Sequence, residues 1–444
     1  MKQDFIVQAG NRRLIMFFAG WGVDPAPFVT LTRPGYDILF VYDYRTTEFD
    51  ELPTADYDEI CVIAWSFGVP AAAIFIAQQQ DTLPITRCVA VAGTLIPVDD
   101  RCGIPEAIFL GTLRGLDERN LRKFYRRMCG SGEAFRAFSA TAVNRSVGEL
   151  TDELRAIQTR GAAEVDPHLY DSVYITGDDA IIPATNQRNA WAGHGNIHEI
   201  AAPHLPDFQE IINREFIDKG AMSATFARGA STYDDNADAQ LEISRSLLSI
   251  WRALRPEPGR TLEIGVGTGR FTRMYAGAIE PSQLHLWDIS ASPDDLNVER
   301  LDAETAITSL APGSFDSIVG TSAIQWFNSP ARFVGRCLRA LAPGGVCVLS
   351  TFGRDNLMEL RPYQGAALQY LSADAWRRLF PDATVNEERI AIGFDSPRAI
   401  IDHLRLTGVN SGARSRGIGA TRALLASGLR TLTYHAVYLA LVVR

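Results

Sequence analysis

The sequence lacks the features that would tie it to a membrane, a metal or an oxidising compartment. Its six cysteines are scattered through 444 residues without a Cys-x-x-Cys pair, which predicts reduced thiols. Its longest apolar runs, residues 14–23 and 436–443, are shorter than the roughly 20 residues that span a bilayer. Residues 1–10 contain no basic segment followed by an apolar one, so we expect no signal peptide. These absences predict a cytoplasmic protein without a metal cofactor or a membrane partner.

The composition favours two globular domains. Hydrophobic residues make up 46% and charged residues 21% of the chain, as in ordinary globular proteins. A chain of 444 residues is too long for one ordinary core and suits two domains of roughly 200 residues each. The formal net charge of -9 argues against general binding to nucleic acids or anionic membranes.

Two successive series of predicted strands divide the chain. The first comprises residues 14–18, 38–42, 60–64, 88–92, 172–176 and 197–200, and the second 261–264, 284–287, 317–319 and 346–351. Their alternation with polar or helical segments predicts an α/β fold with a mainly parallel sheet in each domain. We expect domains at residues 1–218 and 219–444, with a charged helical insertion at about 116–160.

A short turn in the first half has the form of a nucleophile elbow. Residues 64–68 (Ala-Trp-Ser-Phe-Gly) directly follow the apolar run 60–63. A tight strand-to-helix turn exposes its serine at the sheet edge when small residues flank it. Gly68 fills the last small position, whereas Ala64 stands where glycine is usual. An ordinary strand-to-helix turn remains the alternative unless Ser66 has partners.

Candidate partners follow Ser66 in the order acid and then histidine. Asp179 comes after a predicted strand and four residues before Pro183, and His204 follows the last predicted strand. A serine hydroxyl needs such a base, oriented by an acid, to act as a nucleophile. The glycine-rich loop 18–22 is expected to supply the N–H of Trp21, beside that of Phe67, as an oxyanion hole. The other candidates are Asp99 and Asp100 for the acid, and His194 and His198 for the base.

Several segments of the first 215 residues together resemble the BioG type of pimeloyl-[acyl-carrier protein] methyl ester esterase: residues 18–22, 42–45, 64–69, 93–100, 103–105 and 126–130. The resemblance implies an α/β-hydrolase fold with a helical lid. It also implies that Ser66 is the nucleophile, His204 the base and Asp179 the acid.

The predicted insertion carries a basic face. Five cations recur there at helical spacings of three and four: Arg119, Arg122, Lys123, Arg126 and Arg127. In a chain of net charge -9, such a face suits an acidic partner, and acyl carrier proteins are strongly acidic. We therefore expect a carrier-protein dock here, with a solvated charged surface as the alternative. A second candidate dock follows Asp402, where the chain has arginines but no Asp or Glu: Arg405, Arg414, Arg416, Arg422 and Arg430.

The second half opens its strand series with a glycine turn. Gly265, Gly267 and Gly269 follow the predicted strand 261–264 and let the backbone approach a ligand closely. A dinucleotide-binding fold would have a third glycine at the place of Arg270. The spacing Gly-x-Gly-x-Gly after Glu263 instead resembles the first motif of class I methyltransferases, which have a Rossmann-like fold.

That resemblance implies a site for S-adenosylmethionine. Asp288 ends the second strand of the series, in place to accept hydrogen bonds from ribose hydroxyls. Asp302 and Ala303 resemble the loop that contacts the adenine. With Glu263 and the three glycines, these residues form the predicted cofactor site.

Further segments of residues 222–444 resemble malonyl-[acyl-carrier protein] O-methyltransferase of the BioC type: residues 226–228, 233–234, Gln240, 324–326, 341–345, 350–360 and 404–410. Gln325 and Trp326 are candidates for shaping the substrate site, with core positions as the alternative. The two resemblances together imply one short pathway: methylation of malonyl on acyl carrier protein, elongation by other enzymes, and hydrolysis of the pimeloyl methyl ester for biotin synthesis. The alternatives are a broad-range carboxylesterase or thioesterase, or a non-catalytic carrier-binding module, fused to a methyltransferase for another small carboxylate.

Overall fold

The computed structural model describes residues 1–49, 57–80, 82–141, 143–290, 293–363, 370–408 and 418–444. It divides into two compact units, Met1–Phe216 and Ile217–Arg444. Along the sequence, the first unit ends at Phe216, two residues before the predicted end of the first domain at residue 218. Across the described ranges, no helix combines the length and the apolar character that crossing a membrane requires.

The first unit is built on a seven-stranded sheet in the order β1-β3-β2-β4-β5-β6-β7. Its strands are β1 (Lys2–Val7), β2 (Arg13–Phe18), β3 (Asp37–Tyr42), β4 (Glu59–Trp65), β5 (Ile85–Val91), β6 (Ser172–Thr176) and β7 (Ile197–Ile200). All neighbours pair in parallel except β1, which is antiparallel to β3. The central strand β4 is buried along its whole length, as expected for a parallel strand covered on both faces.

The described residues of this unit form seven α-helices: α1 (Gly68–Gln79), α2 (Glu106–Arg114), α3 (Glu118–Cys129), α4 (Gly132–Ala140), α5 (Val147–Arg160), α6 (Ala184–Ala190) and α7 (Phe208–Glu215). Short 3₁₀ turns lie at Ala26–Phe28 and Pro167–Leu169. Helices α2 to α5 form the insertion between β5 and β6, which thus begins earlier than the predicted residue 116. The caps are local in origin, because Asp117, Ser131 and Ser146 each accept a backbone N–H in the first turn of the helix that follows.

The second unit has its own seven-stranded sheet in the order β10-β9-β8-β11-β12-β14-β13. Its strands are β8 (Thr261–Ile264), β9 (Leu284–Asp288), β10 (Val298–Arg300), β11 (Phe315–Gly320), β12 (Leu341–Phe352), β13 (Thr384–Gly393) and β14 (Thr431–Val442). Strand β14 runs antiparallel to both β12 and β13, and the other pairs are parallel. Both sheets therefore bring the carboxyl ends of their parallel strands to one edge, where the predicted site residues lie.

The helices of the second unit are α8 (Lys219–Tyr233), α9 (Asp238–Leu254), α10 (Ala303–Ala306), α11 (Pro330–Ala340), α12 (Ala373–Leu379), α13 (Pro397–Leu406) and α14 (Ile418–Ala426). Short 3₁₀ segments lie at Thr272–Met274, Ala276–Ala278, Pro281–Gln283, Ile307–Ser309, Ile324–Trp326 and Met358–Tyr363. Helix α9 packs on the sheet through Ile243, Leu247 and Trp251, all of them buried. The spacing of these residues places them on one helix face.

Candidate active sites

Ser66 occupies a strained turn between β4 and α1. Its φ of 55° lies in the left-handed region, which non-glycine residues rarely adopt outside functional sites. Two glycines make the close packing around this turn possible. A Cβ added to Gly68 would lie 2.2 Å from the carbonyl oxygen of Phe18, and one added to Gly93 would lie 2.5 Å from that of Ser66. The turn is thus specified by residues on three loops.

The structure brings Ser66, His204 and Asp179 into one hydrogen-bonded chain. The Oγ of Ser66 lies 3.0 Å from Nε2 of His204, and Nδ1 of His204 lies 2.8 Å from Oδ2 of Asp179. The His204 side chain is 2% exposed and that of Asp179 is fully buried. The indole Nε1 of Trp65 donates to the carbonyl of His204 at 2.8 Å, which fixes the histidine backbone beneath the elbow.

The carboxylate of Asp179 is held in its ionised form. Burial alone would raise its pKa, but His204 and the N–H groups of Ile181 and Ile182 outweigh that effect, so the pKa of Asp179 is lowered. Oδ1 accepts both N–H groups, at 2.7 and 2.9 Å. Oδ2 also accepts from Thr176 and Gln187. This carboxylate is therefore fixed in place to orient an imidazole.

The other candidates for the acid and the base have different contacts. Asp99 accepts the N–H groups of Arg101 and Cys102, and Asp100 accepts that of Glu106, so both carboxylates cap local turns. His194 Nε2 contacts the carbonyl of Tyr170 at 2.9 Å. His198 packs on the ring of Tyr174. The structure thus favours Asp179 and His204 on geometry.

A small cavity opens beside Ser66 where the oxyanion loop and the insertion meet. It has a volume of 30 Å³, and its lining includes Trp21, Phe67 and Phe124. Within the described residues, the backbone N–H groups of Trp21 and Phe67 are donated to no acceptor. Both groups are thus available at the position where the sequence predicts an oxyanion hole.

The five predicted docking cations all lie on α3 and are exposed. The opposite side of that helix is buried through Leu121, Phe124 and Met128. In the part of the chain that the structure describes, none of the five forms an ion pair with a carboxylate. A groove of 880 Å³ runs along α2 and α3, and three of them line it: Lys123, Arg126 and Arg127. Five residues line both this groove and the cavity at Ser66: Ile108, Thr112, Phe124, Arg127 and Ala180.

The second candidate dock is only partly described. Arg414 and Arg416 lie outside the described residues, as do the last two positions of segment 404–410. Arg405 lies 3.6 Å from Asp402, and Arg422 and Arg430 are exposed.

The glycine turn of the second unit follows β8 with all three glycines at positive φ: Gly265 at 74°, Gly267 at 56° and Gly269 at 78°. A Cβ added to Gly265 would lie 2.5 Å from Cβ of Ala323, and one on Gly269 equally close to Leu296. A Cβ on Gly267 would meet nothing within 4 Å. Because Gly267 lines the cavity described next, that open space belongs to a ligand site.

A cavity of 170 Å³ lies against this turn, and its lining includes Asp288, Asp302 and Ala303. Asp288 accepts the N–H of Gly267 at 2.7 Å and that of Ser290 at 2.6 Å. Burial raises the pKa of Asp288, although these bonds oppose the effect. The structure thus brings Gly265, Gly267, Asp288, Asp302 and Ala303 to one cavity, whereas Gly269 is not among its lining residues.

Glu263 differs from the prediction that it contacts a ligand. It is not among the cavity-lining residues. Its carboxyl accepts from Thr272 at 2.8 Å and from the hydroxyl of Tyr275. Burial raises the pKa of Glu263 to about 7. These bonds connect β8 to the segment that follows the glycine turn, so Glu263 stabilises the turn on the side away from the cavity.

The cavity wall also holds polar atoms that suit a ligand with hydrogen-bond donors. Oε1 of Gln240 and Oγ of Ser322 are buried and have no partner among the described residues. Both residues line the cavity, and Ser322 has a positive φ of 49°. S-adenosylmethionine has an ammonium group and two ribose hydroxyls, so these residues fit it. Trp326 lines the cavity and packs edge-on against Phe226, with the two ring centroids 5.2 Å apart.

Lys219 is a cavity residue that the sequence analysis missed. Its buried Nζ lies 2.7 Å from both Asp302 and Glu304. Glu304 also accepts the N–H groups of Asn328 and Ser329, and Asn328 accepts that of Ile217. The first residues of this unit are thus part of its cavity wall. A methyltransferase fragment should therefore retain both Ile217 and Lys219, because removing Lys219 would take a buried cation away from the carboxylates of Asp302 and Glu304.

Comparisons with known proteins agree with this division of the chain. Residues 1–213 match the family described as pimeloyl-ACP methyl esterase BioG, and residues 236–387 match a methyltransferase domain family. The solved structure of BioG from Haemophilus influenzae is 32% identical, covering 46% of this chain and 94% of that one with a TM-score of 0.42.

Relatives named malonyl-[acyl-carrier protein] O-methyltransferase extend the match. That of Acinetobacter baylyi is 31% identical over 50% of this chain and 96% of its own length. That of Bacteroides fragilis is 33% identical over 97% of this chain and 92% of its own length. The chain therefore belongs to the malonyl-[acyl-carrier protein] O-methyltransferase family, with a BioG domain in its first half and a methyltransferase domain in its second.

Proposed function

We propose that this chain is a bifunctional enzyme of biotin synthesis. Its second unit methylates the free carboxylate of malonyl-[acyl-carrier protein]. Its first unit hydrolyses pimeloyl-[acyl-carrier protein] methyl ester to pimeloyl-[acyl-carrier protein] and methanol. One observation carries the proposal: the polypeptide contains two compact units, each with its own site. The first has the hydrogen-bonded residues Ser66, His204 and Asp179, and the second has the cavity at the glycine turn. The reduced cysteines support a cytoplasmic location.

The esterase reaction follows from the geometry at Ser66. The Oγ of Ser66 attacks the ester carbonyl carbon while Nε2 of His204, 3.0 Å away, takes its proton. The N–H groups of Trp21 and Phe67 stabilise the oxyanion. The bond to the methoxy oxygen then breaks as His204 returns the proton, and methanol leaves. A water activated by His204 attacks the acyl-enzyme, which releases the pimeloyl carboxylate and restores Ser66.

We expect Asp179→Asn to lower esterase kcat by about 10³- to 10⁴-fold, because an amide N–H facing Nδ1 favours the wrong tautomer of His204. The matched control is Asp100→Asn, because an asparagine oxygen still accepts the N–H of Glu106 that Asp100 now accepts. Steady-state hydrolysis of a soluble methyl ester measures both. A larger loss in the Asp100 variant would contradict the assignment of the acid.

Methyl transfer needs positioning more than acid–base chemistry. S-adenosylmethionine, when bound, supplies an electrophilic methyl group, and a malonyl carboxylate is already ionised at neutral pH. No residue of the chain therefore has to remove a proton. The glycine turn and Asp288 would hold the ribose side of the ligand, and Asp302 and Ala303 would hold its adenine side. Phe226, Trp326 and Phe327 form an apolar part of the cavity wall, which would exclude water and orient the malonyl carboxylate. This positioning is what accelerates methyl transfer.

We propose that the carrier protein docks on α3 when its ester reaches Ser66. Arg126 and Arg127 are exposed and line the groove that leads to the cavity. Reversing both to Glu should lower kcat/KM for the carrier-bound ester by about 10- to 100-fold at low salt, because the carrier is acidic. The kcat/KM for a small soluble ester should fall by about threefold at most, because Arg127 also lines the cavity at Ser66 but a neutral ester offers it no charge to attract.

The matched control for this prediction is the double reversal Arg136→Glu and Arg155→Glu. These arginines are exposed on α4 and α5 and do not line the groove, so the net charge changes equally. Equal losses on both esters in the Arg126 and Arg127 variant would indicate damage to the fold instead of a dock.

The proposed pair of reactions is tested by genetic complementation. A bacterium that lacks both the methyltransferase and the esterase cannot make biotin. Supplying this chain should restore growth without biotin, whereas either single-site variant, Ser66→Ala or Gly267→Val, should not. The two variants expressed together should restore growth, because carrier-bound intermediates diffuse between chains. Failure of the parent chain to rescue growth, despite expression, would contradict the proposal.

A further inference from the structure

The oxyanion loop, residues 18–22, is bonded by the buried phenol of Tyr44, by the half-buried phenol of Tyr125 and by helix α5 of the insertion. The hydroxyl of Tyr44 donates to the carbonyl of Ala19 at 2.7 Å. The hydroxyl of Tyr125 donates to the carbonyl of Gly22 at 2.6 Å. Between them, Nε1 of Trp21 donates to the carbonyl of Leu150 at 2.9 Å. These bonds flank the peptide that carries the N–H of Trp21 on both sides.

Two glycines of the loop provide no side-chain contacts that would hold it in place. Gly20 and Gly22 have no side chains, and Gly22 has a positive φ of 84°. A Cβ on Gly20 would lie 3.0 Å from the ring of Trp65 and 3.2 Å from Cβ of Ser66, so the loop must pass close to the nucleophile without a side chain. Its position is therefore set by the hydrogen bonds to its carbonyls, by that of the Trp21 indole, and by that of the Ala19 N–H to the carbonyl of Val41.

Tyr44 is itself anchored to the lid by buried charges. Its backbone N–H donates to Oε1 of Glu153 at 2.8 Å, and Oε2 of Glu153 accepts from Arg145 at 2.7 Å. Arg145 also lies 3.2 Å from Asp43, whose φ is 63°. The Glu153 and Arg145 side chains are at most 2% exposed. The 43–45 turn is thus joined to helix α5 by a buried network of charged hydrogen bonds.

We propose that Tyr44 and Tyr125 are positioning residues that set the oxyanion hole, and that α3 links this hole to the surface on which the carrier docks. The inference rests on the proposed esterase function. Tyr125 lies on α3 between Lys123 and Arg126, both of which line the groove. A partner bound to this face would therefore contact the same helix whose phenol bonds the loop. In this arrangement the lid is part of the catalytic machinery as well as a cover.

The test uses the full chain with Tyr44→Phe and Tyr125→Phe, each of which removes one hydroxyl and keeps the ring. Each should lower kcat on a small soluble ester by about 5- to 20-fold with KM within about twofold, because the oxyanion develops only in the transition state. An alkyl boronate that mimics the tetrahedral intermediate should show a Ki raised by a similar factor. The control is Tyr42→Phe, whose hydroxyl bonds Asp4 at 2.8 Å, away from the loop.

The outcomes separate positioning from folding. A fluorophosphonate titration gives the fraction of molecules with a reactive Ser66, and all rates are expressed per active site. Parent values of kcat and of the boronate Ki in both variants, with only a smaller active fraction, would overturn the inference. Losses that are equal on the small and the carrier-bound ester support it, since a docking defect would affect the second alone. A parent chain that hydrolyses neither ester would instead refute the proposed esterase.

Discussion

Replacing Ser66 with alanine is expected to lower hydrolysis of pimeloyl-[acyl-carrier protein] methyl ester by more than about 10⁴-fold. The loss follows because His204, 3.0 Å away, then has no hydroxyl to deprotonate. Methyl transfer to malonyl-[acyl-carrier protein] should continue at the parent rate. Both rates are measured on the same preparation, one by release of methanol and the other by transfer of labelled methyl.

The matched control is Ser139→Ala, an exposed position on α4, which should leave both rates unchanged. The side chain lost from Ser66 is small, and alanine tolerates the positive φ of 55° about as poorly as serine does, so the fold should survive. Hydrolysis by the Ser66 variant near the parent rate would mean that another nucleophile acts. A parallel loss of methyl transfer would mean that the two activities depend on each other.

A structural reason explains why loss of ester hydrolysis should leave methyl transfer unchanged. Each unit has its own seven-stranded sheet and its own buried cluster. Ser66 lies after β4 in the first sheet, and the glycine turn lies after β8 in the second. A substitution that changes no packing in the other core has no direct route to the other site.

The parallel strands were predictable because their signals are local. Strands β4 and β8 are short apolar runs that end at glycine turns, and the structure places them at 59–65 and 261–264. Strand β13 has three consecutive charged residues, 387–389, at its centre, and β14 shows in the sequence only as an apolar run. The insertion of β14 between β12 and β13 depends on pairing far along the chain, so no local pattern predicts it.

The site residues also divide into those with a local sequence signal and those without one. The glycine turns and the order of Ser66, Asp179 and His204 are visible in the sequence because chain order and spacing carry them. Lys219 is not, because its importance arises from carboxylates more than 80 residues away. Tyr44 and Tyr125 likewise act on a loop that lies far from them in the chain. Glu263 shows the opposite error, since a motif residue can support a turn without touching the ligand.

Gly267→Val is expected to weaken S-adenosylmethionine binding by about 100-fold or more, as measured by calorimetry on the full chain. The added side chain would enter cavity space, because a Cβ at Gly267 meets no protein atom within 4 Å. A β-branched residue also strains a φ of 56°. Asp288→Ala should weaken binding less, by roughly 10- to 100-fold, since it removes only a charged hydrogen-bond acceptor.

Strain alone is tested by the matched variant Gly344→Val. Gly344 has a φ of 75° and equally open space around its Cβ position, but it is exposed and does not line the cavity. This variant should be destabilised in thermal unfolding to a similar degree, yet bind the ligand with parent affinity. Ester hydrolysis at Ser66 should be unchanged in both glycine variants, because their effects stay within the second unit. Parent-like binding by Gly267→Val would mean that the ligand does not lie against this turn, and a loss in both variants would trace the effect to strain instead.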